Sequence, residues 1–336
     1  MYLKNNEPNS GSLLAELAGS IQNFNDSVDV YMNQIRDYEV FNPFQSSAEM
    51  DSVGINKPIP CEFWERLGIR HLILNTLHSR LEVPDHWNIE NDKNNNTTYR
   101  WRNVKNDAIL EELKTLFSYS SVVQFADWAS VDGASDFWDG IFYDVIKPLG
   151  KRDFQFVFRL GDIRRRLVFE IDEILDIMGI YSSYGRVTLV LENNEADKLW
   201  SKLNGIAYDV TIPGSRPQDA RERYLFIFNT MRIDSLIVLY ANRTILYSTG
   251  QQSQFGGRSF ENIYMPGQGK DCFDAGYRLG LLLQLETPHC IALGQVVSGA
   301  YVRNESLPGS EVLLTYIKDW MAEMSPDRYS SSLMKK

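Results

Sequence analysis

Apolar residues recur with two rhythms along this chain. Over the first 150 positions the rhythm is helical. Pro58-Ile59-Pro60 leads into EFWERLGIRHLILNTLHSRL, where Leu67, Leu74, Leu77 and Leu81 return at intervals of seven, three and four. Pro60 suits a first helical turn and Pro84 closes the segment. Residues 85–98, with their NDKNNNTT run, read as an exposed loop. Asn106 or Asp107 then caps a second helix that carries Ile109, Leu110, Leu113, Leu116 and Phe117 on one stripe. Trp128, Phe137, Trp138, Phe142 and Tyr143 follow among five aspartates, a pattern of core aromatics with carboxylates turned outward.

From about residue 150 the rhythm shortens. Phe154, Phe156, Phe158 and Leu160 alternate, Gly161-Asp162 makes a turn, and Leu167, Phe169 and Ile171 alternate again. That spacing predicts a hairpin with one buried face and a basic turn. A short helix, DEILDIMGIY, leads to a strand over 187–191. Asn193 or Asn194 caps the helix EADKLWSKLN, and Gly205 ends it. Further strands are predicted at 208–212, 224–228, 236–240 and 244–247, the last two joined as a hairpin. A long loop over 251–270, a helix from about Cys272 to Leu285, strands through 289–303 and a helix begun by Ser310 complete the chain. The fold class is α+β: a mainly helical region, 1–149, followed by a mixed strand and helix domain, 150–336. The boundary falls at the breaker pair in Pro148-Leu149-Gly150.

Composition narrows the class. With 336 residues, 43% hydrophobic and 23% charged, the chain is globular rather than collagen-like, low-complexity or disordered. Its net charge of −10 argues against nucleic acid as a main partner. All of that excess lies in residues 1–150, which hold 12 Lys plus Arg against 22 Asp plus Glu, whereas 151–336 hold 22 of each. Within 151–166 the balance reverses locally: Lys151, Arg152, Arg159, Arg164, Arg165 and Arg166 face only Asp153 and Asp162. Such a basic turn, and Arg159, Arg164, Arg165 and Arg166 in particular, suits docking on an acidic surface of another protein or a second copy. A solvent-facing hairpin would carry the same charges. Three widely spaced cysteines (Cys61, Cys272, Cys290) suit a reducing compartment. No run has the length of a signal peptide core or a membrane span, so a cytoplasmic location and no membrane insertion are expected.

Motifs with strong chemistry are missing. The sequence has no CxxC, HExxH, GxSxG or GxxxxGK[ST]. His71 and His78 would stand about 10 Å apart along a helix, too far to share one ion, so no metal site is expected. Gly256-Gly257-Arg258-Ser259 and Gly267-Gln268-Gly269-Lys270 are glycine-rich with a cation, and either could wrap backbone N–H groups around an anion. Cys272 opens an expected helix, where the dipole would lower a thiol pKa. With Gln268 upstream and His289 on an expected strand, it sets out an oxyanion donor, a nucleophile and a base in the manner of papain-like peptidases. The segment QGKDCFDAG loosely resembles the cysteine motif of bacteriocin-processing peptidases.

Arg164 to Glu173, RRRLVFEIDE, resembles the Arg-rich opening of FMN-dependent nitroreductases. Tyr181 to Leu191, and Asp274 to Gly294 (DAGYRLGLLLQLETPHCIALG), are similar to that family's loop, helix and strand; Glu286 stands where the family has a Gly. The resemblance covers about 164–318. It implies an FMN cofactor with Arg164 and Arg166 on its phosphate and Gly294 near the ring. No cofactor follows from the motifs themselves. The charge split and the aromatic–acidic cluster make a protein-binding component or regulator of a multi-protein assembly the leading expectation. A flavin oxidoreductase and a cysteine hydrolase are the alternatives.

Overall fold

The computed structural model describes residues 4–6, 11–21, 100–126, 128–130, 133–206, 217–241, 243–258, 267–304 and 306–324. The expected helix over 60–84, the loop at 85–98, the strand at 208–212, Cys61, His71 and His78 lie outside them. The chain divides into two compact units. One comprises Met1–Asn6, Thr76–Tyr240 and Ile245–Ser253; the other comprises Glu7–Asn75, Ala241–Thr244 and Gln254–Lys336. The turn at Pro148–Gly150 is a helix end inside the first unit, with Gly150 at φ 66°.

A seven-stranded mixed sheet organises the first unit. Its strands are β1 (Lys4–Asn6), β2 (Val122–Phe125), β3 (Phe154–Phe158), β4 (Gly185–Glu192), β5 (Ser235–Leu239), β6 (Arg243–Ser248) and β7 (Gln251–Gly256), in the order β1-β7-β6-β5-β4-β3-β2. Strands β2 to β5 are parallel neighbours. The connections from β5 to β6 and from β6 to β7 are too short for a crossover and make hairpins. The α+β class therefore holds.

Helices supply the parallel crossovers. After a short turn, α2 (Trp101–Val104), and α3 (Asp107–Tyr119), α4 (Ala134–Ile141) joins β2 to β3 and runs on through a π turn, Phe142–Ile146. Asn106 Oδ1 accepts from Ile109 N at 2.9 Å, which is the expected cap of α3. α5 (Val168–Tyr181) joins β3 to β4, and α6 (Asn193–Leu203) with α7 (Pro217–Met231) joins β4 to β5. Parallel crossovers are right-handed, so steps taken in one direction along the sheet put these helices on one face. Alternation turns Phe154, Phe156 and Phe158 toward that face. There Tyr181 packs edge-on to Phe156 at 4.9 Å, Trp138 meets Phe158 at 5.4 Å, and the Tyr181 hydroxyl donates to Trp138 O at 2.7 Å.

Three expected strand segments are helical instead. The second arm of the expected hairpin is the first part of α5: Ile171, Ile174, Leu175 and Met178 bury one helical stripe, while Leu167, Val168 and Phe169 are exposed. Residues 224–228 lie in α7, where Tyr224, Ile227, Phe228 and Met231 recur at helical spacing and are buried. Residues 289–303 lie in α9, described next.

The second unit is helical: α1 (11–21), α8 (Gly267–Leu282), α9 (Thr287–Asn304) and α10 (Ser310–Met324). Leu14, Leu17 and Ile21 of α1 enter one core with Cys272, Ala275 and Leu279 of α8, Leu293, Val296 and Val297 of α9, and Tyr316, Ile317 and Trp320 of α10. Glycines let α8 and α9 approach closely. A Cβ on Gly276 would come within 2.7 Å of Leu293 O, and one on Gly280 within 2.7 Å of Cys290 Cα.

Candidate functional site

Chemistry-bearing side chains gather in two places, one in each unit. In the second, α8 begins at Gly267, five residues before the expected start. The segment Gly267-Gln268-Gly269-Lys270 is therefore the first turn of a 16-residue helix. The leading N–H groups of a helix have no partner within it and point out of its positive end. Lys270 is half-buried and Asp271 exposed; from Cys272 onward the helix is sealed. Cys272, Phe273, Ala275 and Tyr277 are buried, and the Phe273 and Tyr277 rings stack at 6.3 Å. Burial thus anchors the helix immediately after Asp271, which fixes where that carboxylate and the first-turn N–H groups stand.

The expected cysteine chemistry is not assembled. Burial, and then the negative charges of Asp271 and Asp274, push the Cys272 thiol up to about 12, against the lowering that a helix start alone would give. His289 opens α9 rather than a strand, and its Nε2 lies 2.8 Å from Glu16 Oε2. Gln268 sits in the first turn of α8, on the helix that buries Cys272. The papain-like reading is corrected accordingly. In the other glycine-rich segment, Gly256 ends β7 and Arg258 is engaged with α10: its Nε donates to Glu323 at 2.7 Å and its guanidinium lies 4.8 Å from the centre of the Tyr316 ring.

In the first unit, the basic residues of 151–166 divide between the two ends of β3, about 17 Å apart. At the N-terminal end, Lys151 donates to Ser120 O at 2.7 Å and Arg152 to Ser183 O at 3.0 Å. At the C-terminal end, Arg159 N donates to Phe125 O at 2.8 Å, and a 3₁₀ turn, Ile163–Arg165, leads toward α5. Asp162 accepts from Arg164 Nε at 2.6 Å and from Lys198 Nζ at 3.2 Å. Arg166 is buried: it donates to Trp128 O at 2.8 Å and to Glu170 Oε1 at 2.9 Å, and lies over the Trp128 ring. Lys202 donates to Arg166 O at 2.5 Å and to Arg164 O at 3.3 Å. Sequence reasoning missed Asp271, Lys198, Lys202 and Glu170. Asp271 carried a signal, a carboxylate directly after a glycine-rich, cation-bearing turn, and Glu170 another, its place four residues after Arg166; Lys198 and Lys202 are joined to the basic turn only by tertiary structure.

These placements overturn the flavin reading. Arg166 is turned inward, and a Cβ on Gly294 would already sit 2.8 Å from the Phe273 ring, so that face of α9 is closed. Among the described residues no three His, Cys, Asp or Glu are grouped to hold a metal ion, and no helix is long and apolar enough to cross a membrane.

No protein-family model and no curated protein sequence matches the chain. Solved structures do. A ribokinase from Thermotoga maritima is 13% identical with a TM-score of 0.40, over 61% of this chain and 59% of that one. A ribokinase from Arabidopsis thaliana, complexed with ribose and ATP, is 15% identical with a TM-score of 0.43, over 63% and 59%. An adenosine kinase from Sinorhizobium meliloti is 15% identical with a TM-score of 0.44, over 61% and 56%. The chain thus spans less than two thirds of the length of each. The solved structures that match are named as sugar and nucleoside kinases, not nitroreductases, and the nitroreductase and assembly-component readings are not carried further. Lys151 and Arg152 stand at the opposite end of β3 from Arg164 and Arg166, so these four do not share one face.

Proposed function

We propose that the chain is a phosphotransferase that moves the terminal phosphoryl group of a nucleoside triphosphate to a hydroxyl of a small metabolite at the first turn of α8. One observation carries this reading: Gly267-Gln268-Gly269-Lys270 opens a long helix and is followed at once by an exposed carboxylate, Asp271. Glycines allow close approach of an anion to the backbone, and the helix N-terminus and Lys270 favour the negative charge of phosphoryl oxygens. We assign to Asp271 the role of taking the proton from the attacking hydroxyl. The hydroxyl oxygen forms a bond to phosphorus, the bridging P–O bond breaks, the diphosphate leaves with its electron pair, and the proton passes to the Asp271 carboxylate.

The test is a nucleotide-consumption assay with Mg·ATP and a panel of alcohols that includes ribose and adenosine, the compounds for which the matched kinases are named. Asp271→Asn should lower kcat by roughly 10²–10⁴-fold, and Lys270→Ala should raise KM for the triphosphate. An acceptor-dependent turnover that Asp271→Asn leaves unchanged would refute the assignment.

A further inference from the structure

The first turn of α8 is held in place by the residues that follow it. Among the described residues of that helix, Cys272 and Phe273 are the first to be buried, directly after the exposed Asp271. Phe273 stands two residues, about 3 Å of helical rise, beyond Asp271. It is also where α8 meets α9. A Cβ on Gly294 would lie 2.8 Å from Phe273 Cδ2 and Cε2 and 2.9 Å from Phe273 O, so the ring and backbone of Phe273 occupy the space that a side chain at 294 would fill. We infer, resting on the transfer reading given above, that Gly294 is a positioning residue for that reaction. Its missing side chain lets Phe273 seat against α9, and the seat sets where Asp271 and the first-turn N–H groups stand.

The seat gives no way round a methyl at 294. The Phe273 ring cannot swing aside, because it is buried and stacked on the buried Tyr277, with 6.3 Å between centroids and 7° between planes. The crossing is as tight from the other helix: a Cβ on Gly276 would come within 2.9 Å of Gly294 Cα and 2.7 Å of Leu293 O. α9 is anchored at the very next residue. Gln295 is buried, and its Nε2 donates to Thr244 Oγ1 at 3.3 Å and to Phe255 O at 3.2 Å, both partners lying within the second unit. α9 is thus the fixed partner, and crowding at 294 moves α8.

Ordinary van der Waals contact begins at 3.4 Å, so a methyl at 294 pushes Phe273 O away by about 0.5 Å. Catalytic groups must be held within about 0.5 Å of productive geometry, and a misplacement of about 1 Å costs on the order of 10²-fold. A shift at Phe273 reaches Asp271 through two residues of one helix. It is felt in the transition state, where the proton and the phosphoryl charge move, more than in ground-state binding.

Gly294→Ala in the full chain tests this. With Mg·ATP and an acceptor that the wild type turns over, kcat should fall roughly tenfold while both KM values stay within about threefold. Gly299→Ala is the control: its methyl would meet the Tyr316 hydroxyl of α10, so it crowds α9 from another side and should lower the thermal midpoint with kcat unchanged. Combining Gly294→Ala with Phe273→Leu, which takes away the ring atoms that the methyl meets, should recover part of the lost kcat. Hydrogen exchange of the amides at 271–274 should quicken in Gly294→Ala and not in Gly299→Ala. Wild-type kcat and exchange in Gly294→Ala, or an equal loss of kcat in Gly299→Ala, overturns the inference. If the wild type turns over no acceptor, or Asp271→Asn leaves turnover unchanged, the transfer reading fails instead, and exchange at 271–274 alone decides whether Gly294 places the turn.

Discussion

Gly140 is where a single methyl group tests how the first unit is closed. It lies on α4 directly beneath the Trp101 indole, so a Cβ there would fall inside the van der Waals envelope of the ring. Trp101 is docked by three further contacts. Its backbone N donates to Asp136 Oδ2 and its Nε1 to Asp144 Oδ2, each at 2.5 Å, and its ring meets Phe137 edge-on at 5.0 Å. Removing the indole re-exposes on the order of 200 Å² of apolar surface, about 5 kcal/mol gross. Two hydrogen bonds to carboxylates add about 1.5–3 kcal/mol each. Ordering residues 100–105 costs about 1–2 kcal/mol per residue, so the net value of docking is only a few kcal/mol. Alanine returns about 1 kcal/mol through helix propensity. Gly140→Ala should therefore undock residues 100–105 rather than unfold the unit, lowering global stability by about 1–2 kcal/mol. Hydrogen exchange should show lost protection at 101–105 with the amides of β3 and β4 still protected. Unchanged protection at 101–105 would show that the indole can slide aside at no cost, and would refute the reasoning.

Two further outcomes follow from the second unit. Cys272 and Cys290 are both buried, with thiols pushed up to about 12 chiefly by burial, so at pH 8 iodoacetamide should modify neither in the folded protein and both after denaturation. Fast labelling of Cys272 in the native state would contradict the sealed α8. Gly276→Val should push α8 off Leu293 O and cost about 1–3 kcal/mol by overpacking. A thermal midpoint equal to wild type would mean that the helices have room to part.

Much of the architecture was legible because its signals are local. The cap at Asn106, the alternation of β3, the run of β4 and the hairpin of β5 and β6 each declare themselves within a few residues. The failures share one cause. Leu167, Phe169 and Ile171 alternate by coincidence across a helix start; residues 224–228 are a β-prone aromatic run inside α7; and α9 is buried on nearly all sides, so its apolar run carries no period to read. Tertiary burial outweighed local propensity in all three. The same holds for the sites. Gly267–Lys270 and Cys272 were both visible as chemistry, but with the helix started at Cys272 the dipole was assigned to a sulfur that packing then buried.

Charge counting failed for a related reason, and the reason bears on function. A tally of six cations in sixteen residues treats each as an equal contributor to one field. In the fold, Lys151 and Arg152 spend their donors on carbonyls at the far end of β3, and Arg166 spends its own on Trp128 and Glu170. Cations engaged in this way set backbone shape and contribute little to a salt-sensitive docking face.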